Sequence, residues 1–131
     1  MAISHSPLLR IAASVGATIA IGFGVNTILR PENALTFFEL EASTSPSTKS
    51  LVKTLMTVYG VKTIFMGVAM HIAAYFGNRK TLGWILIAAG VVSFADGVVC
   101  WNQGKREWNH WIFVPMLIGH GSILLGILDR T

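Results

Sequence analysis

Three ionisable residues, Lys62, Asp96 and His120, lie within long hydrophobic segments of this chain. A charged side chain at bilayer depth costs at least about 2.5 to 3.5 kcal/mol on insertion scales, so such residues usually face a helix-bundle interior or a wet cavity. An imidazole has an ordinary pKa of about 6.5, which suits general acid or base catalysis at neutral pH. A nearby carboxylate can orient the imidazole or carry a proton itself. We therefore expect Asp96 and His120 to exchange protons with a bound substrate.

The residues around these groups indicate where a substrate would lie. Tyr59, Lys62 and Met66 are three and four residues apart and share one face of a helix. We expect Lys62 to point inward, to pair with Asp96 and to tune that carboxylate or bind a substrate oxygen. A structural network that fixes helix register remains the alternative. The predicted substrate contacts are Tyr59, Met66, Asn26, Ser93 and Trp101.

The composition predicts a membrane protein. It is 53% hydrophobic and only 12% charged, whereas a soluble domain has about 25% charged residues. Four segments are each long enough to cross a bilayer, which needs about 20 apolar residues per helix. Short connectors between consecutive segments favour antiparallel neighbours. The sequence therefore predicts one all-α domain over residues 1–131, an integral membrane four-helix antiparallel bundle with spans at 8–29, 51–76, 81–101 and 111–128.

A cluster of tryptophans and a short connector define the two ends of the predicted bundle. Trp101, Trp108 and Trp111 cluster at one end, called here the tryptophan end, as in membrane interface belts. The Gly77–Lys80 connector lies at the other, called the turn end. Residues 31–40 at the tryptophan end resemble a short interfacial helix between the first two spans. The polar link 42–48 would let this helix act as a lid, and a plain surface connector is the alternative.

Two other interpretations of the hydrophobic segments fit the sequence less well. Buried helices of a soluble protein would show a polar stripe every three to four residues, and residues 85–92 offer almost none. The first segment could be a signal peptide, but it exceeds the usual apolar region of about 7 to 15 residues. The first segment is therefore interpreted as a retained span.

Small residues predict how the helices touch. They recur every four residues in the first segment and again in the third, and such stripes let backbones approach closely in lipid. We expect the first and third spans to pack at these faces, although the same faces would also serve a homo- or hetero-oligomer. The stripes are Ala12, Gly16, Ala20 and Gly24, and Ala89, Ser93 and Gly97.

Several other chemistries are disfavoured. Cys100 is the only cysteine, so a Cys-x-x-Cys redox pair is excluded within one chain. The four histidines, His5, His71, His110 and His120, show no paired spacing, so no metal or haem site is expected. No phosphate-binding loop is present, and we expect no cofactor. Lys and Arg occur at both ends, which leaves the orientation open and gives no nucleic-acid-binding patch.

Short motifs in a fixed order resemble a family of small four-span membrane proteins of bacteria and fungi whose function is uncharacterised. The order and spacing carry the resemblance, which extends over nearly the whole chain. In that family an Arg-Asp pair is expected where this chain has Lys62-Thr63, so one carboxylate is missing here. The resemblance implies that Asp96 and His120 are functional-site residues. The motifs are Arg30-Pro31, Tyr59-Gly60-Val61-Lys62, residues 78–84, Phe94-Ala95-Asp96-Gly97 and Gly119-His120-Gly121.

Fungal members of such families look like tailoring proteins of polyketide or terpenoid pathways. The resemblance thus implies a lipophilic small-molecule substrate that enters from the lipid bilayer. We expect a membrane-embedded enzyme that performs cofactor-free cyclisation, isomerisation or epoxide opening by acid-base chemistry. It would lie in an endomembrane, such as the endoplasmic reticulum, if the source is eukaryotic. The alternative is a non-catalytic scaffold or accessory subunit for a biosynthetic enzyme, and a transporter is a third interpretation.

Overall fold

The computed structural model describes residues 2–41, 44–105 and 107–129, and every regular element in these ranges is a helix. The link predicted at 42–48 lies partly outside the described residues. Short 3₁₀ turns occur at Ile3–His5, Thr36–Phe38 and Ile127–Asp129. The α-helices are α1 (Pro7–Leu29), α2 (Pro31–Leu35), α3 (Pro46–Tyr75), α4 (Arg79–Asn102), α5 (Trp108–Trp111) and α6 (Phe113–Leu124).

Local sequence signals explain where the helices begin. Pro7, Pro31 and Pro46 each occupy the first turn of a helix, where the missing N–H needs no partner and the fixed φ angle is already helical. Helix α4 instead begins after Asn78, whose side chain accepts a hydrogen bond of 2.9 Å from the backbone N–H of Thr81. Such a cap satisfies one of the donors that every helix start leaves unpaired.

Three helices, α1, α3 and α4, are long and apolar enough to cross a membrane. Their bounds lie close to the first three predicted spans, although α3 begins five residues earlier than expected, at Pro46. The fourth predicted segment is divided, because α5 ends at Trp111 and α6 runs for 12 residues. A helix of that length rises about 18 Å, less than the roughly 30 Å of a hydrocarbon core.

Helices α1 and α3 form a close antiparallel pair. A Cβ atom built on Gly24 would lie 2.7 Å from the carbonyl oxygen of Gly60. Further along, a Cβ on Gly67 would lie 2.7 Å from the carbonyl oxygen of Ala17. The two backbones therefore touch at positions where any side chain would push them apart.

Helices α4 and α6 form a second antiparallel pair with the same kind of contact. A Cβ on Gly83 would lie 2.8 Å from the carbonyl oxygen of Gly121. At the opposite end of α4, Gly97 faces the indole of Trp111 and leaves no room for a Cβ. These contacts fix the axial register of α6 against α4.

The expectation that the first and third spans pack on each other is wrong, because α1 packs chiefly on α3 and α4 on α6. The buried face of α1 includes Ala13, Ala17 and Gly24, whereas Gly16 is exposed with no atom near its Cβ position. Close approach requires small residues on both partners, and α3 supplies them. The two pairs meet in one apolar cluster of Ala13, Ala17, Met70, Ala73, Ala74, Leu82, Leu86, Ala89 and Leu124.

Polar contacts join the two ends of the chain at the turn end. Ser4 is buried, and its backbone N–H donates a hydrogen bond of 3.0 Å to Asp129, which also accepts one from the Ser4 hydroxyl. Arg79 donates from Nη1 to the carbonyl oxygen of Leu124 at 2.8 Å. Arg79 thereby satisfies a carbonyl that the end of α6 leaves free.

The glycine contact between α1 and α3 generates a prediction with an internal control. We expect Gly24→Ala to destabilise the protein by about 1 to 3 kcal/mol, because the new methyl group meets backbone atoms of α3 that cannot yield locally. Gly16→Ala should be neutral or stabilising by up to about 1 kcal/mol, since Gly16 faces open space and alanine favours helix. Thermal unfolding in detergent measures both, and equal effects would contradict the packing described.

The contact between Ser4 and Asp129 predicts a pH dependence of stability. The two hydrogen bonds from Ser4 hold the pKa of Asp129 below its ordinary value of 3.8. A carboxyl group with a lowered folded-state pKa stabilises the protein above its unfolded pKa, and that contribution is lost as the pH falls through the folded pKa. We expect Asp129→Asn to lower the melting temperature at neutral pH, with the difference from wild type shrinking as the pH falls below 3.8. A constant difference across that range would exclude the charge as its cause.

Candidate active site

The predicted residues Tyr59 and Asp96 meet at the contact between α3 and α4. The Tyr59 hydroxyl donates a hydrogen bond of 3.1 Å to Oδ2 of Asp96. Both side chains are half-buried. A phenol paired with a carboxylate can pass a proton to and from a third group placed beside them.

An aromatic cap covers this pair at the tryptophan end. The cap is the segment 31–38, in which Phe37 and Phe38 pack edge to face with ring centroids 5.9 Å apart. Phe38 also contacts the ring of Tyr59 edge to face at 5.3 Å, and Phe37 contacts Phe23 of α1 at 5.2 Å. The interfacial helix predicted for residues 31–40 therefore ends in aromatic rings that lie over the Tyr59–Asp96 pair.

His110 lies beneath the same cap and is only 3% exposed. Its ring centroid is 4.8 Å from those of both Phe37 and Phe38. Among the described residues, nothing forms a hydrogen bond with Nε2 of His110. Buried polar atoms nearly always have a partner, because an unpaired one costs roughly 1 to 3 kcal/mol. The unpaired nitrogen therefore singles out His110 as a functional candidate.

Burial determines the charge state of this histidine. Burial lowers the pKa of His110 because the charged imidazolium loses hydration, and the negative charge of Asp96 acts in the opposite direction with less effect. The imidazole is therefore neutral at pH 7. In the tautomer that carries its proton on Nδ1, Nε2 presents a lone pair.

Two side-chain amides hold the cap in place. Asn109, the residue before His110, donates from Nδ2 to the carbonyl oxygen of Phe37 at 2.9 Å. Asn26, a predicted substrate contact, donates from Nδ2 to Oδ1 of Asn33 at 3.0 Å. Asn26 therefore positions the cap in this state.

Lys62 differs from its expected position. Its side chain is exposed, and Nζ lies 4.9 Å from the centroid of the Tyr59 ring. The expected ion pair between Lys62 and Asp96 is wrong, since no such pair forms in the described part of the chain. The Tyr59 hydroxyl pairs with Asp96, and the Lys62 ammonium ion instead lies over the electron-rich face of the same ring, three residues earlier on the helix.

His120 lies far from Asp96. Nε2 of His120 is 2.9 Å from the carbonyl oxygen of Leu9, near the start of α1. Gly121, the next residue, contacts Gly83, whereas Asp96 precedes the glycine that faces Trp111. Thirteen residues of α4 separate these levels, which is about 20 Å along the helix. The structure does not bring Asp96 and His120 into one cavity.

The remaining predicted substrate contacts are Met66 on α3 and Ser93 and Trp101 on α4. Met66 packs against the apolar cluster between the helix pairs, and Trp101 is 61% exposed. Ser93 is half-buried on α4. Trp111 stacks on Phe94, with centroids 5.8 Å apart. Their roles in substrate binding stay predictions.

No group of three or more His, Cys, Asp or Glu residues in the described ranges could hold a metal ion. Cys100 is buried one helical turn beyond Asp96. The groups that converge under the cap are thus a phenol, a carboxylate and a neutral imidazole, a set suited to proton transfer.

Little in the sequence indicates a functional role for His110. It lies in the polar connector between the third and fourth segments and has no partner at helical spacing. Phe37 and Phe38 are adjacent aromatic residues in the interfacial helix predicted for residues 31–40. Their contact with a histidine more than seventy residues away depends on how the connectors fold over the end of the bundle.

The unpaired nitrogen leads to a prediction about stability. We expect His110→Leu to leave the melting temperature unchanged or to raise it, because leucine keeps an apolar contact with the cap and removes an unsatisfied polar atom. His120→Leu is the matched control and should cost about 1 kcal/mol, since it deletes the hydrogen bond to Leu9. Thermal unfolding of both variants in one detergent makes the comparison. A large loss of stability for His110→Leu would mean that the ring is structurally required.

Comparison of the chain with known proteins identifies one family. No curated protein and no solved structure matches this chain. Residues 17–124, which include Tyr59, Asp96, His110 and His120, match the family described as Domain of unknown function (DUF4267). Since the match extends over most of the 131 residues, the chain belongs to the DUF4267 family.

Proposed function

We propose that this protein is a membrane-embedded enzyme that performs acid-base chemistry on a lipophilic small molecule without a cofactor. The observation that carries the proposal is the buried, unpartnered Nε2 of His110 beneath the same cap as the Tyr59–Asp96 pair. A group that costs stability is expected to persist where the chemistry of a site requires it.

A proton transfer at this site needs no oxidant or reductant. Neutral His110 accepts a proton at Nε2 from an acidic C–H or O–H group of the substrate, and the resulting imidazolium is stabilised by the charge of Asp96. When the substrate binds, the Tyr59 hydroxyl exchanges its hydrogen bond to Asp96 for one to a substrate oxygen on which negative charge develops. Return of the proton from His110 to a different substrate atom completes an isomerisation or a cyclisation, so the product has the mass of the substrate.

The membrane arrangement that suits this chemistry has four spans. Helices α1, α3 and α4 cross the bilayer, and residues 111–128 complete an antiparallel bundle as the fourth span, with the cap and His110 lying in the interface. A substrate dissolved in the bilayer reaches His110 when the cap moves away from the tryptophan end. Polyketide- or terpenoid-like molecules fit such a route, because they partition into lipid and carry few charges. An endomembrane is the proposed location if the source is eukaryotic.

Metabolite profiling of the organism that makes the protein tests this function. Deletion of the gene should accumulate a lipophilic compound and remove an isomer of equal mass with a different chromatographic retention. We expect wild type and His120→Leu to restore the isomer. Asp96→Asn and His110→Leu should reduce its formation by at least about 100-fold, as expected for loss of a general base or of the charge that stabilises its protonated form. Mass spectrometry of lipid extracts provides the measurement.

Protein yield separates catalysis from scaffolding. Normal amounts of folded Asp96→Asn and His110→Leu without the isomer support catalysis. If the variants reduce product only in proportion to the folded protein or to the recovery of a partner enzyme, the protein is a scaffold. Full restoration by both variants removes these residues from the mechanism.

A further inference from the structure

A second candidate site lies at the turn end, on the opposite side of the protein from the cap. A groove of about 650 Å³ runs between α1 and α3, and α1 lines it from Pro7 to Ile19. Ile11, Val15 and Ile19 recur every four residues along one edge and are each more than half exposed. This edge is an apolar track that opens sideways, away from the rest of the protein.

The mouth of the groove is positively charged. Arg10 lies in it and has neither an ion-pair partner nor a hydrogen bond among the described residues. The lining residues include no Asp or Glu. On the α3 side, the exposed ring of Tyr75 stacks on His71 with centroids 6.1 Å apart and 17° between the rings. An arginine and a tyrosine beside an apolar track are typical of the headgroup region of a membrane interface.

A polar pair lies deeper in the groove. Thr18 donates its hydroxyl hydrogen to the carbonyl oxygen of Ser14 at 2.9 Å, and its Oγ1 is also 3.1 Å from Nε2 of His71. When the Thr18 hydroxyl hydrogen points to Ser14, the contact with His71 is donated by the Nε2–H of the imidazole, because a hydroxyl has one hydrogen. Nδ1 of His71 then has no protein partner in the described residues and is left for a polar group of a ligand.

The dimensions match one leaflet of a bilayer. The twelve-residue rise from Pro7 to Ile19 is about 18 Å, slightly more than half of a hydrocarbon core of roughly 30 Å. We propose that this groove binds one anionic phospholipid from the surrounding bilayer. Its phosphate pairs with Arg10, its glycerol region lies beside His71, and one acyl chain follows the apolar track past Val15.

Lipid titrations of the purified, full-length protein in a neutral detergent test the proposal. The probes are dioleoyl phosphatidylglycerol, which is anionic, and dioleoyl phosphatidylcholine, which has the same acyl chains and no net charge. We expect native mass spectrometry to show one phosphatidylglycerol per protein, bound more tightly than phosphatidylcholine. Arg10→Gln should weaken phosphatidylglycerol binding about tenfold, as for the loss of one charge-assisted contact, and weaken phosphatidylcholine less, because its choline ammonium ion offsets the charge of the phosphate.

Three further variants, two of which are matched controls, separate binding in the groove from general surface effects. Lys80→Gln removes the same charge from an exposed residue at the turn end outside the groove, and it should bind both lipids as wild type does. Val15→Trp fills the track and should weaken both lipids, whereas Val91→Trp, at a site of similar exposure on α4, should not. If Val15→Trp does not fold, the comparison of Arg10→Gln with Lys80→Gln still decides the question.

Three results would overturn the proposal. They are equal affinity of wild type for the two lipids, an equal loss for Lys80→Gln and Arg10→Gln, and a change in dimerisation rather than in lipid binding. The last result would identify the groove as a contact between two copies of the chain.

Discussion

Close approach of helix backbones at glycine is the constraint on which the rest of this structure depends. Lipid is as apolar as a leucine side chain, so membrane helices gain little from burying apolar groups against each other and rely on dense packing. Gly24 against Gly60, and Gly83 against Gly121, allow that density. The same contacts fix the axial position of each helix against its partner, because the backbones approach this closely only where glycine lies in the contact. Every side chain on the paired helices is thereby held at a set depth.

The site at the tryptophan end is assembled on this framework. Residues from α3, α4 and the connectors meet there only because each helix pair holds its register. Tyr59 reaches Asp96 across the contact between α3 and α4, and the connectors add Phe37, Phe38 and His110 above them. The cap closes with aromatic contacts and two amide hydrogen bonds. Individual contacts of this kind contribute only about 1 kcal/mol, so the position of the cap depends on all of them together.

The two ends of the protein differ in how their polar groups are satisfied. At the turn end, Ser4, Arg79 and Asp129 hold the termini together with paired donors and acceptors. At the tryptophan end, His110 is buried without a partner at Nε2. Low-dielectric surroundings strengthen a satisfied network and penalise an unsatisfied group. The first arrangement is typical of a structural contact, and the second is typical of a group that binds a ligand.

The sequence by itself determined the helical class and three segments that are long and apolar enough to cross a membrane, and it singled out Asp96 and Tyr59 as candidate site residues. These follow from local rules, because hydropathy and helical spacing act over a few residues. The partners of those groups were decided only by the tertiary structure. The glycine register separated His120 from Asp96, and the folding of two connectors over one end brought His110 beside the aromatic cap. Neither outcome is encoded at short range, since each depends on contacts between residues distant in the chain.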